Sequence, residues 1–502
     1  MKITGKIILA SLIMALASFA VSCGGATLPS DNDSDDIAGN HASAESPEAV
    51  QEEAEAETNA SNILNRFEQT NYGGAEFRIV ASKLYNGSIG GQQIPGEEIN
   101  GEILNDALYN RDRTLEEYFN ISVVYNTIDY EENSPIASMI SQNVAAGDDT
   151  ADLVWGSIDM VMKPLLTGDR LVDLRNLPNL DLSNEWWLKT VTEDLSINGK
   201  VYFASGNITP RATTSAFIFV FNKKLLGDYQ IEEPYEDVRS GKWTLDRLQT
   251  ICQDAYQDFD GSGQTSDDDF FGLVFEGGSL GALYTGAGGT IFELQSDNTP
   301  VMTADSSRNV DVLENLSEML QLKTYYVPNV NYVANRIFRE SRALFLSMAC
   351  CDLSMLRDME TDYGILPQPK FDESQEEYYC APNKWIATGI AVPKSLPESE
   401  YERVGLLTEA MAALSTYTSY EAQYETIMQA RYVRDTDSIE MLRLAVESSR
   451  FDMGNIYGWG GLDGTIENIM RNGGEIVSAF ERSKKIVNSQ VNKFLKTLDE
   501  FE

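Results

Sequence analysis

Residues 103–125 have the sequence ILNDALYNRDRTLEEYFNISVVY, a helix-like segment followed almost at once by a strand-like one. The apolar residues of 103–119 recur every three or four positions, which predicts an amphipathic helix. The residues expected to face the core are Ile103, Leu104, Leu108, Leu115 and Phe119. A strand-like run at 77–81 precedes this helix and another at 121–125 follows it. A strand, a helix and a strand in this order predict an α/β fold.

The same alternation continues towards the C-terminus. Further β-rich or apolar runs lie at 152–155, 201–204, 217–221, 271–275 and 343–350, and from residue 400 onward the pattern is helical. The folded part has about 440 residues, which suits two domains better than one core. The formal net charge of −40 argues against nucleic acid or an anionic lipid surface as a partner, because both require a basic patch.

The N-terminus carries the pattern of an export signal. Lys2 and Lys6 precede an apolar run at 7–21 that is too short to span a bilayer comfortably, which predicts a signal peptide at 1–22. Small residues stand directly before Cys23, as in a bacterial lipobox, where the cysteine is diacylated and holds the protein on a membrane without crossing it. We therefore expect a lipid-anchored protein at the extracytoplasmic side of the cell membrane. An ordinary cleaved secretory signal is the alternative.

Residues 23–62 form an acidic segment without Lys or Arg. This composition cannot bury enough apolar surface to offset the entropy of ordering, so we expect a disordered tether. His41, the only histidine of the chain, lies in this tether. The folded part therefore has no histidine base or ligand, which excludes most serine hydrolase chemistry and most catalytic zinc sites. For the same reason the G-x-S-x-G match at 277–281 is interpreted as a glycine-rich turn.

Four cysteines lie beyond Cys23, at positions 252, 350, 351 and 380. Cys252 falls on the apolar stripe of a helical pattern and is interpreted as a small buried hydrophobe. Export permits disulfides, and Cys380 could pair with Cys350 or Cys351. The sequence does not choose among the pairings.

Several phrases, in order, resemble the family 1 extracellular solute-binding proteins, the sugar-binding type that includes maltose-binding proteins. The phrases are NDALYNR at 105–111, DLV at 152–154 before GDRLVDL at 168–174, NGKVY at 198–202, FNK at 221–223, KWTLD at 242–246 and YGILPQPK at 363–370. The resemblance implies a type II periplasmic-binding-protein-like fold, with two α/β lobes joined by crossing strands around a ligand cleft. It implies lobe 1 at 75–205 plus 344–395 and lobe 2 at 206–343 plus 396–502.

The resemblance also implies a function. The chain would be the solute-binding component of an ABC importer, a monomer without catalytic activity that captures a mono- or oligosaccharide by lobe closure and hands it to the permease subunits. Two alternatives remain at this point. One is a lipid-anchored carbohydrate-active enzyme, a glycoside hydrolase or lyase, which would use two carboxylates. The other is a ligand sensor that feeds a histidine kinase.

Sugar sites need flat aromatic side chains and planar polar groups. Trp155 ends a predicted strand, Trp459 lies in a glycine-rich segment, and Trp385 is the third aromatic candidate. Core packing is the alternative for each of these tryptophans.

The polar candidates for ligand binding follow predicted strands. Arg211 comes after the run at 201–204, Glu276 after 271–275, and Asp352 after 343–350. Ligands of open α/β sheets bind at the carboxyl ends of strands, which favours these positions. A solvated or salt-bridged surface group is the alternative for each.

Residues 258–269, DFDGSGQTSDDD, resemble an EF-hand loop and predict a structural Ca²⁺ site. The predicted ligands are Asp258, Asp260, Ser262, the Gln264 carbonyl and Asp269. The loop departs from the pattern at its last position, where the shorter Asp269 replaces the usual Glu, and a strand-like run follows instead of a second helix. A metal-free acidic loop is the alternative.

Overall fold

The computed structural model describes residues 62–83, 92–129, 133–212, 214–429 and 432–499. The predicted signal peptide, Cys23 and all but the last residue of the predicted tether lie outside these residues. Among the described residues, no helix combines the length and the apolar character that crossing a membrane requires.

Strands and helices alternate along the described ranges. The strands are β1 (Ala75–Lys83), β2 (Ile121–Asp129), β3 (Leu153–Ser157), β4 (Phe217–Asn222), β5 (Phe271–Phe275), β6 (Phe292–Leu294), β7 (Pro300–Met302), β8 (Tyr325–Tyr326), β9 (Ala343–Ala349), β10 (Tyr363–Leu366) and β11 (Thr388–Ala391). The helices are α1 (Ile103–Phe119), α2 (Asn133–Ala146), α3 (Lys163–Thr167), α4 (Lys189–Thr192), α5 (Lys223–Asp228), α6 (Tyr235–Arg239), α7 (Leu245–Cys252), α8 (Ser279–Gly286), α9 (Ser307–Leu320), α10 (Val333–Arg339), α11 (Tyr401–Thr416), α12 (Ser419–Gln429), α13 (Thr436–Glu447), α14 (Met453–Tyr457), α15 (Leu462–Asn472) and α16 (Ile476–Asp499).

The first sheet has the strand order β11-β3-β1-β2. β1 runs parallel to β2 and to β3, and β11 runs antiparallel to β3. Helix α1 connects the parallel pair β1 and β2, as the α/β pattern of 77–125 predicts, and its predicted bounds are confirmed. Its apolar face packs Leu115 and Phe119 into one core with Phe77 of β1. The strand-like run at 201–204 follows a tight turn at 198–199, where Ile197 and Lys200 pair antiparallel, and it leads into the crossing segment through an isolated bridge from Ala204 to Ile390.

The second sheet has the order β10-β4-β9-β5-β8. β5 runs parallel to β9, whereas β4 runs antiparallel to both β9 and β10. Strands β9 and β10 therefore belong to the second lobe, and the prediction that placed 344–395 in the first lobe is wrong for them. The physical reason is that strand pairing is non-local, and each strand's own sequence carries no mark of the sheet it joins.

The C-terminal part of the chain divides between the lobes. Helix α11 packs Val404 and Leu407 into the same core as Phe77 of the first sheet, so the placement of all of 396–502 in the second lobe is also wrong. Helix α13 then packs against β10 of the second sheet.

Two of the segments that join the lobes lie side by side. Ala204 pairs antiparallel with Ile390 at the first lobe, and Ala216 pairs antiparallel with Pro382 at the second. The Ser205 hydroxyl donates to the Thr388 carbonyl at 2.7 Å and strengthens this pairing. Crossing strands between the lobes were expected from the resemblance, and the structure has paired crossing segments that are joined by isolated bridges.

Candidate functional site

The three polar candidates Arg211, Glu276 and Asp352 come together in the second lobe. Glu276 directly follows β5, and Asp352 lies in the turn that follows β9. These two strands are parallel neighbours, so both residues stand at the same edge of the sheet. Arg211 reaches this edge from the crossing segment, and its guanidinium is close enough to act on the pKa of Asp352. Arg211 is 3% exposed and Glu276 6% exposed.

The electrostatics of this cluster are set by burial. Burial, and next the neighbouring carboxylate of Glu276, raise the pKa of Asp352 to about 6. A hydrogen bond with Cys351 and the charge of Arg211 act in the opposite direction. The cluster thus holds more negative charge than its single guanidinium balances.

Glu276 keeps one oxygen for a further partner. Its Oε1 accepts from the backbone N–H groups of Gly277, at 3.0 Å, and of Tyr332, at 2.7 Å. Its Oε2 is buried and has no hydrogen-bond partner among the described residues, and the same holds for the Thr214 hydroxyl. Buried polar atoms in native proteins are almost always hydrogen-bonded. A ligand group or an ordered water is therefore expected at this place.

A cavity of about 160 Å³ lies next to this cluster, where the crossing segment meets the second lobe. Trp385 forms part of its wall and is 45% exposed. Gly278, two residues after Glu276, also lines the cavity. Its φ of +81° suits glycine, and a Cβ there would lie 3.2 Å from the Phe217 ring and 3.6 Å from the Trp385 ring.

Polar side chains line the rest of the cavity: Asn383, Lys384, Asp452, Asn455, Asp463 and Glu467. Lys384 Nζ donates to the Asn455 carbonyl at 2.7 Å and pairs with Asp463 at 3.3 Å. Asp452 has a structural role, because it caps the start of α14 by accepting from the Gly454 N–H at 2.7 Å. It also accepts from the Ile291 N–H at 2.6 Å.

Glu467 has no ion pair within the part of the chain that the structure describes. Its pKa is raised, first by burial and then by the charge of Asp463, while Arg471 and Lys384 lower it. The positive charges near an ionised Glu467 therefore balance its negative charge only in part. This carboxylate and the aromatic ring of Trp385 are the cavity groups best placed to meet a ligand.

The structure places the other two candidate tryptophans in cores. Trp155 is 1% exposed and packs beside Tyr125, with the Arg111 guanidinium 5.9 Å from its ring centre. Trp459 is 5% exposed and stacks on Tyr457 with ring centres 4.8 Å apart. For Trp155 and Trp459 the structure therefore shows core packing, which was the alternative to ligand binding. Trp385 is the candidate that the structure brings to the cavity.

Sequence reasoning missed Lys384, Asp463 and Glu467. A signal was present, because Asp463 and Glu467 are four residues apart on α15 and so share a helix face. The buried residues of that helix, Leu462, Ile466, Ile469 and Met470, mark its core-facing side. What the sequence did not show is that this acidic pair meets the segment around Trp385, 80 residues earlier.

The predicted calcium loop brings three carboxylates together. One oxygen each of Asp258, Asp260 and Asp269 lies within 4.8 Å of the others. Asp269 is fully buried, whereas Asp258 and Asp260 are exposed. This donor set consists of hard oxygens, which suits Ca²⁺.

Hydrogen bonds within the loop hold these carboxylates in place. The Gly263 N–H donates to Asp258 at 2.7 Å, and the Ser266 N–H donates to Asp269 at 2.9 Å. Hydrogen bonds with Ser262 lower the pKa of Asp260 to about 2, so this group stays ionised. The Ser262 hydroxyl also donates to the Gln264 carbonyl at 2.9 Å.

The cysteines at 252, 350, 351 and 380 are buried and present as free thiols. Cys252 ends α7 with no exposed surface, as the apolar stripe predicts. Burial raises the pKa of the Cys350 thiol to about 12 and that of Cys380 to about 11, so both are inert at neutral pH.

No protein-family profile matches the sequence, and no curated protein matches it. Among solved structures, the chain is similar to a cyclo/maltodextrin-binding protein complexed with maltotetraose, with a TM-score of 0.56 at 14% identity. It is also similar to an ABC substrate-binding protein from Listeria monocytogenes in complex with cycloalternan, with a TM-score of 0.50 at 14% identity. Each comparison covers 84% of this chain and 99% of the other. The chain has the two-lobed α/β fold of these proteins, and the fold expected from the sequence is confirmed.

Proposed function

We propose that this chain captures a carbohydrate between its two lobes and delivers it to an ABC importer. The observation that carries the proposal is the fold, shared over 84% of the chain with two proteins whose structures hold oligosaccharides. The site supports it independently. Trp385 offers a half-exposed aromatic face, and Glu276 and Glu467 offer carboxylate oxygens to ligand hydroxyls.

Capture would proceed by a shift between open and closed arrangements of the lobes. A ligand bound to the second lobe gains further contacts when the first lobe closes over it, so it stabilises the closed form. The paired crossing segments at Ala204–Ile390 and Ala216–Pro382 are short connections that suit a hinge.

The test is calorimetry and thermal-shift screening of the purified protein against mono- and oligosaccharides. Binding without chemical change of the saccharide is the expected result. Hydrolysis or elimination of any glycan by the purified protein, seen by chromatography of the products, would instead establish the carbohydrate-active enzyme. Stabilisation by peptides alone would overturn carbohydrate as the ligand.

We also propose that Cys23 is lipidated and holds the chain at the extracytoplasmic side of the cell membrane. The support is the charged and apolar signal at 1–22 with small residues before the cysteine. After expression in a bacterial host, the wild type should be found in the membrane fraction. The Cys23→Ser variant should be found in the soluble extracytoplasmic fraction. Equal partition of the two proteins would contradict the anchor.

We further propose that the loop 258–269 binds Ca²⁺ as a structural ion, through Asp258, Asp260, Ser262, Asp269 and the Gln264 carbonyl. The convergence of three carboxylate oxygens within 4.8 Å supports it. A chelator should lower the melting temperature of the wild type, and added Ca²⁺ should restore it, because an ion that binds only the folded state stabilises that state. Asp260→Asn should abolish this response, while Asp254→Asn, an exposed residue just before the loop, should keep it. A wild type that ignores both chelator and Ca²⁺ would rule out the site.

A further inference from the structure

The cavity beside Trp385 has an imbalance of charge. Its polar wall contains the carboxylates of Asp452, Asp463 and Glu467 and a single cation, Lys384. The charge of Asp452 is held by backbone N–H groups at the start of α14. Within the cavity wall the two remaining carboxylates therefore share one ammonium group. Arg471 lies outside that wall and lowers the pKa of Glu467 without making an ion pair with it among the described residues.

Lys384 already forms an ion pair with one of these two carboxylates, Asp463. Its Nζ donates to the Asn455 carbonyl at 2.7 Å and pairs with Asp463 at 3.3 Å, which holds the ammonium on that side of the cavity. Glu467 makes no ion pair among the described residues, although it is half-buried and its pKa is raised. The neighbouring cluster adds Glu276, whose buried Oε2 has no hydrogen-bond partner in the part of the chain that the structure describes. An anionic ligand would be repelled here. A neutral ligand would leave the negative charge of Glu467 only partly balanced by nearby positive charge.

We propose that the ligand of this cavity carries a protonated amine, which Glu467 binds as an ion pair beside the ring of Trp385. This inference rests on the proposed function, and it narrows the ligand class to a saccharide with a free amino group. Trp385 adds to the attraction, because an aromatic face binds cations and 45% of this side chain is exposed. The net charge of −40 favours the approach of a cation over long distances.

The test compares matched ligands on the full-length protein. Calorimetry is run with a glucosamine oligomer, with the N-acetylglucosamine oligomer of the same length, with a malto-oligosaccharide and with spermidine. The wild type should bind the glucosamine oligomer about ten-fold more tightly than its acetylated counterpart. Glu467→Gln should remove that advantage, because it weakens binding of the glucosamine oligomer about ten-fold more than binding of the acetylated oligomer. Glu314→Gln, which removes one exposed charge on α9 away from the cavity, should behave as the wild type.

The outcomes separate this inference from the proposed function. If the acetylated or neutral oligomers bind equally or more tightly, the proposed function stands. The inference that the ligand carries a protonated amine is then wrong. Binding of spermidine without any saccharide overturns the proposed carbohydrate ligand. Equal weakening of every ligand by Glu467→Gln overturns the ion pair. If that variant fails to fold, the wild type still decides, because an amine held by an ion pair binds more weakly as salt rises and a neutral oligomer does not.

Discussion

Trp385 is an unusual tryptophan for this chain, because 45% of its surface stays exposed while Trp155 and Trp459 are packed in cores. Exposed aromatic area next to a cavity costs solvation until a ligand covers it. Trp385→Ala should raise the dissociation constant for a bound saccharide about 30-fold or more, and the melting temperature of the ligand-free protein should change little. Trp385→Phe is the matched control and should recover part of the affinity. Full affinity in the alanine variant, measured by calorimetry, would remove Trp385 from the site.

The raised pKa of Asp352 leads to a prediction about how the stability of the protein depends on pH. Its pKa in the folded protein is raised to about 6 by burial and by the charge of Glu276. A carboxyl group with a raised folded pKa binds more protons when folded than when unfolded, so its contribution to stability is full at low pH and is lost as pH rises through about 6. Asp352→Asn should therefore melt at a higher temperature than the wild type at pH 7, and the difference should vanish near pH 4.

The control for Asp352 is Asp311→Asn, which changes an exposed carboxylate on α9 and should follow the wild type at each pH. If Asp352→Asn is less stable than the wild type at pH 7, the attraction between Arg211 and the ionised Asp352 stabilises the folded protein by more than burial of that carboxylate destabilises it.

At the scale of elements, local sequence predicted β1, α1 and β2 well. The apolar spacing within 103–119 is set by the helix itself, so it needs no knowledge of the rest of the chain. The sheet to which β9 and β10 belong depends on partners more than a hundred residues earlier, such as Phe221 for Phe345. The same difference explains the site. Glu276 and Asp352 follow strands and could be predicted, whereas Glu467 meets Trp385 only through the packing of α15.

The edge pair β10 and β4 gives a prediction about packing. A Cβ at Gly364 would lie 2.3 Å from both the Phe221 ring and the Tyr235 hydroxyl, far inside contact distance. Gly364→Ala should therefore lower the free energy of unfolding by about 1–3 kcal/mol, because a filled core cannot absorb a methyl group. Gly227→Ala, in α5 with nothing within 4 Å of its Cβ position, is the matched control. It should raise the free energy of unfolding by about 0.5–1 kcal/mol. Equal effects of the two changes in denaturant titrations would refute the packing argument.

At the scale of the whole molecule, the two lobes have separate sheets, and paired crossing segments connect them. Ser205 and Thr388 hydrogen-bond across these segments, so a rotation about this point would move one sheet against the other. A saccharide that draws the lobes together should lower the radius of gyration measured by small-angle X-ray scattering. At about 100 times its dissociation constant, it should also raise the free energy of unfolding by about 2.7 kcal/mol.

Both effects of ligand follow from one equilibrium, so they must appear at the same saccharide concentration. Trp385→Ala, whose affinity is expected to be weakened, should need a proportionally higher concentration for each. A saccharide that stabilises the protein fully while the radius of gyration stays constant would show binding to one lobe alone. Delivery by a closed form would then be wrong, even though the carbohydrate site beside Trp385 would stand.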